Sequence, residues 1–176
     1  MKKFKVFAFI TAIVLIIPFI TACDKKVEQK IETEEGTVTF TTKESAECKA
    51  STDKDDFRHS AQDGIMICKD YKIGVEFNDW YDYYFDSDFK KLLEKRKEDH
   101  KDAKEVTYNG KKAVQFFYGG YNGYDLQFPV DENKNYYIII SVYGIKDTEE
   151  AGKAAFNNKD VQDILNSITF SIKEKK

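Results

Sequence analysis

Val106-Thr107-Tyr108-Asn109-Gly110-Lys111-Lys112-Ala113-Val114-Gln115-Phe116-Phe117-Tyr118 reads as two strands joined by Asn-Gly. That pair favours positive φ at both central positions of a type I′ turn, whose twist matches the flanking strands. Downstream, Gly119, Gly120, Asn122 and Gly123 predict a second turn. Tyr124, Leu126, Phe128 and Val130 alternate in a third strand, and Pro129 marks its outer end or an edge. A turn is expected at Asp131 to Asn135. Tyr136 to Tyr143 is apolar on both faces, Ile138, Ile140 and Val142 against Tyr137, Ile139 and Tyr143. Such a strand is central and covered on both sides.

Upstream of the hairpin, Asp86 or Ser87 can cap a helix from about Asp88 to Glu98. Phe89, Leu92 and Leu93 form its apolar stripe. Thr37 to Lys43 alternates as a strand with Val38 and Phe40 on one face. Glu44 to Ala61 is a polar loop carrying Cys48 and His59. Gly64 to Cys68 and Tyr71 to Phe77 then form a strand pair around Lys69-Asp70. At the far end, Asp147 or Thr148 caps a helix through about Phe156. Asp160 to Asn166 is a second helical piece with Val161, Ile164 and Leu165 inward. Ile168, Phe170 and Ile172 close the chain as a strand. The class is α+β, an antiparallel sheet backed by helices in one domain.

The first residues carry a different message. Lys2, Lys3 and Lys5 precede an apolar run from Val6 to Ile20, which suits a signal sequence and is short for a membrane span. Ile20-Thr21-Ala22-Cys23 resembles the lipobox of bacterial lipoproteins, in which the Cys23 thiol takes a diacylglyceryl group. Residues 1–22 are therefore expected to be a cleaved signal peptide. Residues 23–35 then form a lipidated cysteine with a disordered tether, and residues 36–176 the domain. Two or three acyl chains make a stable anchor where one is marginal. The expected location is the extracytoplasmic face of the cell membrane.

The 176-residue chain has a formal net charge of −3. Cleavage before Cys23 leaves 154 residues and, with three lysines lost, a charge of −6. That size suits a single core. The acidic balance argues against nucleic acid and against electrostatic adhesion to anionic lipid. Arg58 and Arg96 are the chain's arginines; every other fixed cation is lysine. Cys48 and Cys68 form an even pair in an exported chain, either bridged or two reduced thiols.

Four places resemble the PsbP-like family, the fold shared by the photosystem II extrinsic protein PsbP, the Ran-binding Mog protein and small bacterial lipoproteins. Tyr71 to Trp80 resembles its opening strand. Asn109-Gly110-Lys111-Lys112-Ala113 resembles its hairpin, and Asn135 to Tyr143 its long central strand. Asp160 to Phe170 resembles its closing helix and strand. Asn78-Asp79 stands where the family has proline before the tryptophan. The resemblance spans residues 64–172 and implies a non-enzymatic binding or assembly role, with no catalytic residue carried over.

Two stretches are candidate ligand sites. Trp80, Asp82, Tyr84 and Asp86 place carboxylates among aromatics, which could hold a sugar or a hard cation. The same residues also read as a strand exit leading into a helix cap. A calcium loop needs oxygens at set offsets and a turn glycine, and neither is there. Tyr121 and Tyr124 flank a Gly/Tyr/Asn loop of the kind that makes adaptable contacts, or simply a hairpin turn. His59 and His100 stand in charged stretches with no spacing that supplies a nucleophile, an orienting acid or a zinc set. No metal, cofactor or catalytic residue is expected.

The sequence therefore predicts a lipid-anchored, non-enzymatic binding or assembly module whose partner is a protein or small ligand. An envelope hydrolase using carboxylates near Trp80, or a structural subunit of an exported complex, are the alternatives.

Overall fold

The computed structural model describes residues 24–59, 61–78, 89–131 and 136–173. The expected signal peptide, Cys23, the Asp86/Ser87 cap, the turn at 132–135 and the patch of Trp80, Asp82, Tyr84 and Asp86 lie outside the described residues.

Among the described residues, ten strands and three helices form two antiparallel sheets with helices packed against them, an α+β fold. The strands are β1 Lys26–Glu32, β2 Gly36–Lys43, β3 Lys49–Ser51, β4 Gly64–Ile67, β5 Tyr71–Asn78, β6 Lys104–Tyr108, β7 Lys111–Tyr118, β8 Gly123–Asp131, β9 Tyr136–Gly144 and β10 Thr169–Ile172. The helices are α1 Phe89–Asp99, α2 Glu149–Asn157 and α3 Lys159–Leu165. The larger sheet has the order β3-β4-β5-β9-β8-β7-β6, and the smaller one β1-β2-β10.

The Asn-Gly hairpin forms as the sequence predicts. Asn109 and Gly110 take φ of 46° and 71°, and β6 pairs with β7 from Tyr108–Lys111 outward. β9 lies at the centre of the large sheet, with Ile138, Ile140 and Val142 fully buried on one face and Tyr137 and Tyr143 buried on the other. Pro129 sits on β8 beyond the last pair with β7, Gln127–Val114, so its missing N–H interrupts no ladder on that side. Thr148 caps α2 and Asn158 caps α3, each through a side-chain oxygen that accepts a backbone N–H.

Two expectations change. The stretch from Asp24 to Glu35, read as a disordered tether, holds β1, paired along its length with β2. Its charges alternate outward while Ile31 enters the core, the pattern of a charged edge strand. The closing strand joins neither β9 nor the large sheet. β10 pairs with β2, and Ile31, Val38 and Phe40 of the small sheet share one core with Ile73, Val75, Leu126, Phe128 and Ile140 of the large one. The Glu44–Ala61 loop also carries more order than expected: β3 and two short 3₁₀ turns.

The two faces of the large sheet differ. α2, α3 and the small sheet cover one face with apolar side chains. On the opposite face α1 packs Leu92 against Val114 and Phe116 near the β7 side. That second face carries the polar residues of β8 and β9, Asp125, Gln127 and Ser141.

Candidate ligand-binding cleft

Strand register writes the floor of a cleft on the α1 side of the sheet. Glu76 on β5 pairs with Ile139 on β9, which pairs with Gln127 on β8. One row along, Gly74, Ser141, Asp125 and Phe116 lie side by side across β5, β9, β8 and β7. A period of two puts all of these on one face. The cleft holds about 390 Å³, a size that suits a small ligand.

Its walls come from two other places. α1 supplies Arg96 from its last turn, and the chain leaving α1 supplies His100, whose ring stacks on Phe116 at 4.2 Å. Arg96 Nε donates to Gln127 Oε1 at 2.9 Å, and its guanidinium lies 5.4 Å from the Phe116 ring centroid. The loop before β4 supplies Arg58 and His59. Gln62 holds that loop down: its Oε1 accepts from the Arg58 N–H at 2.7 Å, and its Nε2 donates to the Tyr143 hydroxyl at 2.9 Å. The buried carboxamide sits where a side chain on Gly74 would be, since a Cβ there would lie 1.8 Å from Nε2. Arg58 then rests over the Tyr143 ring at 5.1 Å, and His59 stacks on Tyr121 at 4.9 Å.

Both arginines and both histidines of the chain thus line one cleft. The sequence placed the histidines in charged stretches with no partner. The fold instead brings them together with Glu76 and Asp125, residues far from either in the chain.

Burial sets the electrostatics. Asp125 accepts hydrogen bonds from the Tyr121 hydroxyl and from Ser141 Oγ at 2.7 Å, yet loss of water dominates and pushes its carboxyl up to about 6. Glu76 is pushed up to about 7 by burial, against the hydrogen bond it accepts from Asn78 Nδ2 at 2.7 Å. Burial holds the His59 imidazole below its ordinary range. Burial and the neighbouring Asp125 raise the Tyr121 phenol. Arg58 Nη2 lies 3.4 Å from Asp147 Oδ1, close enough for ion pairing but without hydrogen-bond alignment. Among the described residues, the buried side-chain nitrogens with no hydrogen-bond partner are Arg58 Nε, Arg58 Nη2 and His59 Nε2. All three belong to this wall.

The two predicted tyrosines separate. Tyr121 is in the cleft, where Tyr118 meets it ring to ring at 4.8 Å. Tyr124 is on the opposite face and stacks on Phe156 of α2 at 4.3 Å. Three residues apart and astride the β8 entry, they belong to different faces, so the joint patch expected from the sequence does not form. Cys48 and Cys68 are disulfide-bonded and pin β3 to the end of β4, away from the cleft.

Sequence reading missed Arg58, Glu76, Arg96, Asp125 and Gln127 as site residues. One signal was present: Asp125, Gln127 and Ser141 are polar residues on strands whose other face is wholly apolar. Polar groups on both β8 and β9, at the heart of a sheet, imply a lined cleft rather than an open surface.

Among the described residues no cluster of His, Cys, Asp and Glu is arranged to hold a metal ion, and no helix is long and apolar enough to cross a membrane. No protein-family model, curated protein or solved structure matches the chain at significance.

Proposed function

We propose that this protein is a lipid-anchored, extracytoplasmic binding module that holds a small polar ligand in the cleft between α1, the large sheet and the 58–62 loop. One observation carries the reading: the chain's whole complement of arginine and histidine lines a single cleft floored by a buried carboxylate, Asp125, and a half-buried one, Glu76. Charged groups are expensive to bury and stay near-buried where they serve a site. The anchor rests on the lipobox at Cys23. The order that begins at Asp24, where Ser45 N–H donates to the Asp24 carboxylate, would hold the domain close against the bilayer. The PsbP-like resemblance agrees with a binding role and adds no residue to the cleft.

A thermal-shift screen of small polar compounds tests the cleft. Some compounds should raise the melting temperature of the wild type and fail to do so with Arg96→Gln. Equal shifts in the two proteins, or none in the wild type, would overturn the reading. Membrane fractionation tests the anchor: Cys23→Ala should leave the membrane fraction or accumulate as precursor, and unchanged lipid labelling would contradict it.

A second reading, an envelope hydrolase, is favoured by Glu76. A carboxyl near 7 that lines a cleft suits general acid–base work. In that case Glu76→Gln would abolish turnover while ligand binding persisted.

A further inference from the structure

We infer that the end of the domain next to Cys23 lies on the bilayer surface, with Tyr118 and Ile145 entering the headgroup layer. This rests on the lipid anchor proposed at Cys23 and adds the face that meets the membrane.

The anchor has almost no slack. The Ser45 N–H donates to the Asp24 carboxylate at 3.2 Å, and the Glu44 N–H donates to the Lys25 carbonyl at 2.8 Å. β1 then pairs with β2 from Lys26–Lys43 onward. Cys23 is the next residue upstream, about 3.8 Å from Asp24 between Cα atoms. Acyl chains on a residue that close hold the 43–46 corner at the lipid, where a long flexible tether would let the domain turn.

Hydrogen bonds and strand register carry that corner across the molecule. The Lys69 N–H donates to the Ala46 carbonyl at 3.0 Å, and the Cys68 N–H donates to the Tyr71 carbonyl at 2.9 Å. Tyr71 pairs with Gly144 on β9, Tyr143 with Gly123 on β8, and Gly123 with Tyr118 on β7. The turn at 69–70, the exit of β9 and the turn at 119–122 therefore share one end of the large sheet, the end that adjoins 43–46. Gly36 marks the opposite end, where a Cβ would lie 2.5 Å from the Phe77 ring. β2, eight residues long, separates the two ends by about 23 Å.

Apolar exposure sorts the same way. Among the described residues, the large apolar side chains left exposed are Ile145 at 45 % and Tyr118 at 41 %. Ile145 follows the last residue of β9 and Tyr118 ends β7, so both stand at the anchored end. Exposed Lys146 follows Ile145, and a lysine there can bury its stem while its ammonium stays among the headgroups. Tyrosine favours the same layer, with its ring inward and its hydroxyl in water. The far turn carries Glu32, Glu34 and Glu35 instead. The chain's net negative charge gives no pull toward anionic lipid, so the contact is apolar and needs no anionic headgroup. The cleft edge formed by Tyr118 and Gly120 then lies at the headgroup layer.

The test uses the mature lipidated protein in phosphatidylcholine nanodiscs, with and without a trace of phospholipid bearing a headgroup gadolinium chelate. Amide signals of 44–47, 118–121 and 145–146 should be lost when the chelate is present, and those of 33–36 and 109–110 kept. Equal attenuation at both ends, or loss centred on 33–36, would overturn the orientation with the anchor intact. Loss at 44–47 with 118–121 and 145–146 kept would overturn the lipid contact and leave those side chains to a protein partner. Protein that fails to stay with the nanodiscs would overturn the anchor and the orientation together. In Ile145→Glu, at an exposed position outside the core, the 145–146 signals should return while those of 44–47 stay lost. Signals at 145–146 still lost in that variant would overturn the entry of Ile145 into the headgroup layer.

Discussion

The Tyr121 hydroxyl donates to Asp125 Oδ1 across four residues of chain, and both groups are buried on the polar face of the large sheet. The turn at 119–122 makes this contact. Asn122, at φ 53°, sends the chain into β8 so that Tyr121 folds back over the strand it precedes. Ser141 Oγ, the cross-strand partner on β9, donates to the same oxygen. Tyr121→Phe removes one of two donors from a buried carboxylate. The Asp125 carboxyl should then titrate above its present value of about 6, and stability should fall by about 1–3 kcal/mol. Carboxyl-detected NMR titration and chemical denaturation check the two effects separately.

Glu76 and Asp125 also fix a pH dependence. Both carboxyls are held higher in the folded chain, at about 7 and about 6, than in the unfolded one, whose ordinary values are 4.5 and 3.8. A raised acid binds its proton more tightly in the native state, so its contribution is complete below the unfolded value and is lost as pH rises through the folded one. Stability should decline between pH 4 and pH 7 by up to about 3 kcal/mol for each group. Thermal melts of Glu76→Gln and Asp125→Asn should show a flatter profile than the wild type over that window. An unchanged profile would mean that neither carboxyl is raised.

Gly152 gives a prediction that runs against helix propensity. Alanine favours a helix interior over glycine by about 1 kcal/mol. Here a Cβ would lie 1.9 Å from the Asn122 carbonyl oxygen, because α2 crosses the 119–122 turn at backbone contact. Gly152→Ala should therefore destabilise, by about 1–3 kcal/mol, the usual cost of overpacking. A stabilised variant would show that α2 does not approach the turn so closely.

The Cys48–Cys68 bridge spans a sequence separation of 20. On the chain-entropy account, closing a loop of that size contributes about 3 kcal/mol. The double substitution to alanine should lower the melting temperature by about 10 °C for a domain of this length. Reduction of the wild type should give a similar shift, and the cleft's ligand response should survive both.

Local chemistry and period announced much of the fold. Asn109-Gly110, the double-faced apolar run of β9 and the cap at Thr148 each depend on residues close in sequence, and those features are where they were expected. β1 was hidden because its alternation is carried by Val27, Gln29 and Ile31 among lysines and glutamates, so composition masked the period. The placement of β10 beside β2 was hidden because the partner of a strand is set by global packing. The cleft was hidden for the same reason. Arg58, Glu76, Arg96, His100 and Asp125 come from five separated segments, and only the register of β5-β9-β8-β7 brings them together.

The account centres on that convergence, and the two histidine rings report it most directly. A compound that stabilises the protein in a thermal screen should, when added to labelled protein, shift the ring signals of His59 and His100 together, with one saturation curve. A compound that stabilises the protein while both ring signals stay in place would bind elsewhere and contradict the cleft as the ligand site.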